Sequence, residues 1–286
     1  MATRAWLDSS GILSSASNWS SATAPITGDN IYILTGEQDI SGGLADFSAV
    51  NPVDVFIGNF SGAVGRPTTP AVFGAVSGDV RISNTAARQL CLQFTSAASV
   101  IIRDAGPRKY SCYILGTLTN VYVFKGGNVR IGNSCAITNL YVQHSGSPTS
   151  DSNVYVEPGA TVTNLYMSGG KATLNCGVTT ATVSGGTLKF IGEGAGNVTT
   201  LNQYAGVVYY NAPGFTLATW NGYGGKLDLS SDDRARTITN AYLYPGAKLI
   251  GDNGQKSNTL TNLYLRGGYF RGTATNTTEV VPQLTY

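Results

Sequence analysis

The sequence predicts an all-β protein, a parallel β-helix (solenoid) built of short coils of about 20 residues behind an N-terminal cap. Three observations predict it. One phrase recurs along the second half of the chain, reading LTNVYVFKGGNVRI at 118–131, VTNLYMSGGKATLN at 162–175, VTTATVSGGTLKFI at 178–191, ITNAYLYPGAKLIG at 238–251 and LTNLYLRGGYFRGT at 260–273. Glycine supplies 36 of 286 residues, while charged residues make up only 12%. Apolar residues still reach 42%, enough for a sizeable core. Hairpins share the local pattern of strand, tight turn and strand, but only stacked coils explain why successive units resemble one another.

The elements follow in chain order. Residues 1–50 read as a cap or attachment segment. Here Trp6 and Trp19 plug the open end of the first coil, ahead of a strand at Ile31–Leu34. Residues 51–117 read as less well formed coils with short strands at 53–57, 80–82 and 99–103, and a surface loop at 65–72. Residues 118–275 carry the regular repeats, including weaker copies at 137–146, 198–211 and 215–229. Within a copy, an apolar residue and Thr-Asn or Thr-Thr precede an alternating strand, a Gly-Gly or Pro-Gly turn and a second alternating strand. Asn120, Asn139, Asn164, Asn240 and Asn262 share one position, with Thr180 and Thr200 in the other copies. Asparagine suits a left-handed bend there, and its amide can bond to the copies above and below as a ladder. Residues 276–286 read as a tail or C-terminal cap.

Several chemistries are disfavoured. A formal net charge of +2 argues against a nucleic-acid binder. No stretch is long and apolar enough to span a membrane, and the N-terminus lacks a secretory-signal pattern. A single histidine, His144, excludes sites made of several imidazoles and sits in a polar stretch that reads as a turn. Cys91, Cys112, Cys135 and Cys176 have no C-x-x-C spacing and read as buried apolar groups of a chain made in a reducing cytoplasm. The acids around Asp228, Asp232 and Asp233 read as a solvated loop rather than a cation site. Glycan cleavage would need two facing carboxylates, and Asp104, Glu157 and Asp228 do not share a repeat position. The reading is therefore non-enzymatic, with no cofactor and no metal.

One feature points to function. Tyr122, Tyr141, Tyr166, Tyr242 and Tyr264 occupy the outward position after the Asn, replaced by Thr182 and Asn202 in two middle copies. Stacking would line them along one face, as a ring ladder and as an interface for protein or sugar.

The opening segment, with Trp6, Asn18-Trp19-Ser20 and Pro25-Ile26-Thr27-Gly28-Asp29-Asn30, resembles the start of phage-encoded β-helical virion proteins. The repeats are similar in style to autotransporter passenger repeats, but the signal peptide and membrane barrel of that family are lacking. The phage resemblance implies a structural protein of the virion, made in the host cytoplasm, of decoration (cement) or spike type. It implies a homotrimer whose partners are itself and the major capsid protein or other virion proteins. The alternative it carries is a tail spike or fibre that binds a host surface glycan.

Overall fold

The chain is an all-β parallel β-solenoid with about 21 residues per turn. The computed structural model describes residues 2–7, 12–34, 36–37, 39–40, 46–83, 89–103, 112–124, 126, 128–143, 152–191, 197–212, 216–231, 236–251, 258–272, 274–275 and 278–280. Two compact units divide it, Met1–Tyr155 and Val156–Tyr286, and each is taken by itself.

In the second unit each coil has two strands. Thr161–Met167, Val178–Val183, Val198–Gln203, Thr216–Gly222, Thr237–Leu243 and Asn258–Leu265 stack in parallel as a first sheet. Lys171–Leu174, Thr187–Phe190, Val207–Tyr210, Gly225–Asp228, Ala247–Ile250 and Tyr269–Arg271 stack as a second. Like residues lie beside like: Val162 by Val178, Val178 by Val198, and Ile238 by Leu260. In Val178–Val183 the inward side chains are Val178, Ala181 and Val183, with Thr179 and Thr180 both outward between the first two. A straight strand alternates strictly, so two successive outward residues mark a corner. After it, Ser184-Gly185-Gly186 turns the chain into the second sheet.

That turn requires glycine. Gly186, Gly206 and Gly225 have φ of +80°, +76° and +78° and lie one above another. A Cβ on Gly206 would sit 2.6 Å from the carbonyl oxygen of Gly186, and one on Gly225 2.6 Å from that of Gly206. In these three copies the tight turn repeats because each closes against the backbone of the last. Inside, Trp220 is fully buried and its Nε1 donates to Oε1 of Gln203 at 3.2 Å, while Gln203 Nε2 donates to the carbonyls of Gly206 and Lys226.

In the first unit the strands Asn30–Ile33, Val55–Gly58, Ala71–Ser83, Gln89–Arg103, Cys112–Val123 and Ala136–Val142 stack in parallel. These coils are more continuous than their irregular sequence predicts. The expected strands at 80–82 and 99–103 are the ends of strands 13 and 15 residues long. Each long strand rounds a corner without leaving the ladder. Gly116, at φ +128°, turns Cys112–Val123 where its register against Gln89–Arg103 shifts. The stretch 65–72 is exposed through Arg66–Thr69 but enters the sheet at Ala71. Trp6 and Trp19 are buried, meeting edge to face with centroids 5.4 Å apart, and Trp19 Nε1 donates to the Leu13 carbonyl. Phe47, Phe73 and Phe94 continue the aromatic interior from Trp19.

The asparagine bend is corrected. Among the described residues only Ala22 and Asn59 are non-glycine residues with positive φ, so the ladder asparagines sit at a corner within a strand without left-handed backbone. Two successive outward side chains make the bend, and no left-handed residue is needed. The amides do pair along the stack: Asn139 Nδ2 donates to Asn120 Oδ1 at 3.0 Å and Asn262 Nδ2 to Asn240 Oδ1 at 2.8 Å. Asn164 stands in register with Thr180 and Thr200.

Candidate functional site

The outward positions are set by the register. In the second unit one column runs Tyr166, Thr182, Asn202, Asn221, Tyr242 and Tyr264. Tyr242 and Tyr264 stack with centroids 4.3 Å apart and planes 6° from parallel. Tyr166 is 39% exposed. Between the tyrosines the column turns polar, and Asn221 Nδ2 donates to Asn202 Oδ1 at 2.9 Å. In the first unit Tyr122 and Tyr141 stack at 4.6 Å and 9°.

A second aromatic track escapes the repeat alignment. Tyr204, Tyr223 and Tyr244 occupy the turn just after the first-sheet strands and stack in succession at 4.9 Å each. Tyr204 is 53% and Tyr223 40% exposed. Arg266 lies over the rings of both Tyr242 and Tyr244 and donates from Nη1 to the Tyr244 hydroxyl at 3.2 Å. The signal was present as a tyrosine just ahead of the turn glycine, in QYAG, GYGG and LYPG.

The first unit carries a concavity that the sequence reading also missed. One outward column runs Tyr32, Phe56, Arg81, Ile101, Tyr122 and Tyr141. The rings pair at each end, Tyr32 with Phe56 at 5.9 Å and Tyr122 with Tyr141. Between the pairs opens a cavity of about 360 Å³ lined by Phe56, Arg81, Ile82, Ser83, Ile101 and Arg103. Arg81 donates from Nε and Nη2 to Asp79 Oδ2 at 3.2 and 2.8 Å, and this pairing holds the Asp79 carboxyl below its usual range. The Arg103 guanidinium carbon lies over the Phe124 ring, 4.5 Å from its centroid.

The candidate acids are not brought together. Burial pushes the Asp228 carboxyl up, but donors from Ser230 and Lys226 outweigh it and leave the pKa below the ordinary value. Oδ1 accepts from the backbone N–H and hydroxyl of Ser230 at 2.9 and 2.6 Å, and Oδ2 from Lys226 Nζ at 2.9 Å. Its register partners, Tyr209 and Ile250, are not acids. Glu157 is buried in the second unit. Asp104, His144, Asp232, Asp233 and the segment 281–286 lie outside the described residues. All four cysteines are free and buried, and burial pushes the thiols of Cys91, Cys135 and Cys176 up to about 12 and that of Cys112 upward as well. A thiol so far from ionising is a packing group, not a nucleophile.

No family model matches the chain, and no curated protein or solved structure matches it either.

Proposed function

We propose that the protein is a non-enzymatic structural protein that works through contacts of its outer faces. Its setting is a phage virion, where it decorates and reinforces the capsid in many copies. The observation that carries this reading is the Tyr204–Tyr223–Tyr244 stack, exposed at Tyr204 and Tyr223, with Arg266 beside it. Tyrosine and arginine are enriched where protein interfaces concentrate their energy. Rings already stacked on one another lose little freedom when a partner covers them. The partners are further copies of the chain, as a homotrimer, and the major capsid protein, with many weak contacts adding through avidity. The resemblance of the opening segment to phage virion proteins supplies the setting.

The test is quantitative proteomics of purified particles together with their heat resistance. Many copies per particle are expected, with earlier genome release on heating when the chain is deleted. A Tyr204→Ser/Tyr223→Ser variant that keeps buried-tryptophan fluorescence should detach from particles. Absence from intact particles would overturn the reading. The second reading, a tail protein that binds a host surface glycan, is favoured by one observation, the cavity between the ring pairs of the first unit.

A further inference from the structure

We infer that the cavity bounded by Phe56, Arg81, Ser83, Ile101 and Arg103 binds one carboxylate-bearing sugar ring of an acidic polysaccharide. The inference rests on the glycan-binding reading and names its substrate class and its subsite.

The chemistry of the lining selects the ligand. Guanidinium groups are donors only, with five N–H bonds each and no acceptor. Arg81 commits Nε and Nη2 to Asp79, and Asp54 stands behind it, its Oδ1 accepting from the backbone N–H of Asp79 at 2.8 Å. Asp79 alone forms the ion pair with Arg81. Arg103 pairs with no carboxylate among the described residues, and its guanidinium carbon rests over the Phe124 ring. A guanidinium seated over a ring keeps N–H donors for a carboxylate, which it can meet in bidentate form. Arg103 is therefore the group that an anionic group of the ligand would meet.

The remaining walls call for a ring. Phe56 lays one face on Tyr32, with planes 22° apart, so its other face turns toward the coil of Arg81 and into the cavity. The face of an aromatic ring packs against the C–H face of a pyranose, and Ile101 adds apolar surface beside it. A volume of about 360 Å³ lies within the range of small-ligand sites. The floor also disfavours a peptide. The strands around Phe56, Arg81 and Ile101 pair with one another in register, so their backbone N–H and C=O groups are engaged along the stack. A peptide entering the cavity finds no strand edge to extend, whereas a sugar keeps its outer hydroxyls in water.

The experiment is calorimetric titration of the full chain with oligogalacturonate, its methyl ester, and a glutamate-rich peptide. Oligogalacturonate should bind, and the ester, which keeps the ring and removes the charge, should bind at least tenfold more weakly. Arg103→Gln should lower affinity for the acid about tenfold and leave the ester unchanged. Phe56→Ala should weaken both, and Lys248→Gln, on the second unit, neither. Each variant is checked for the tryptophan emission of the folded chain. Equal binding of acid and ester, or indifference to Arg103→Gln, overturns the subsite while leaving a glycan-binding role elsewhere on the protein. Equal binding of the glutamate peptide overturns the sugar assignment. No binding of oligogalacturonate or its ester removes this inference, and if an array of host surface glycans is also unbound, the glycan reading falls with it.

Discussion

The two units close a coil at opposite corners. In the second, the passage from first to second sheet is a three-residue turn such as Ser184-Gly185-Gly186, and strands of the two sheets are separate elements. In the first, Ala71–Ser83, Gln89–Arg103 and Cys112–Val123 make the passage back from second to first sheet inside a strand, as at Gly116, while the last coils of the unit, with Asn128–Ile131 and Ala136–Val142, use separate strands as the second unit does. A recognisable repeat therefore reports where the steric constraint is concentrated, not how regular the coil is. Where copies turn on a glycine pressed against their neighbour's backbone, as at Gly186, Gly206 and Gly225, the sequence repeats. Where a strand bends through one corner, side chains vary and the coil is just as continuous.

The largest expected contrast is at the turn. Gly206→Ala places a Cβ against the Gly186 carbonyl at φ +76°, and should cost about 3 kcal/mol or more, from left-handed strain plus overpacking. Gly28→Ala in the first unit meets the same strain at φ +90°, but a Cβ there has nothing within 4 Å, so about 1–2 kcal/mol is expected. Urea unfolding measures both. Equal losses would show that the glycine ladder is not what sets the repeat.

A smaller contrast lies in the paired acids. Asp29 in the first unit is buried, which pushes its carboxyl up, but donors from Arg4 Nε at 2.7 Å and the Ala2 N–H at 2.9 Å leave its pKa lowered. Asp228 in the second unit is lowered for similar reasons. A carboxyl depressed in the folded chain stabilises it fully above the unfolded value near 4, and loses that contribution as pH falls through the folded value. Asp29→Asn should therefore destabilise at pH 7 by about 1–3 kcal/mol, since Arg4 is left largely buried without its partner. Asp228→Asn should cost less, because Lys226 is 36% exposed and rehydrates. The wild type should lose more stability between pH 6 and pH 3 than either variant. A variant that keeps the full wild-type slope would remove that acid from the account.

The legibility of the molecule follows the same division. The second unit's strands, turns and tyrosine column were readable because apolar alternation and Gly-Gly recur in fixed register. The long strands of the first unit were not, because AVFGAVSGD at 71–79 mixes glycine and serine into a sheet and reads as turn. The cavity lay in between. Phe56, Arg81 and Ile101 are the outward residues near the middle of three segments read as strands, yet with no shared phrase nothing set them side by side. The asparagines misled on conformation, since their side-chain pairing and a left-handed backbone leave the same trace in a sequence.

The smallest contrast expected is none at all, and it separates the surface from the way coils close. Tyr122–Tyr141 and Tyr242–Tyr264 belong to different units, but both are near-parallel stacks, at 4.6 Å and 4.3 Å. Register alone sets a ring pair, since identical outward positions of adjacent coils lie about 4.8 Å apart. Double-mutant cycles with Tyr→Ala at each pair should give coupling of about 0.5–1.5 kcal/mol in both units. Equal couplings would mean that register alone carries the aromatic pairs, leaving the surface free to change while the interior holds the fold. Coupling at Tyr242–Tyr264 alone would tie the pairing to what surrounds that pair, Arg266 over the Tyr242 ring included, and the aromatic face would then depend on its neighbours rather than on the stacking of coils.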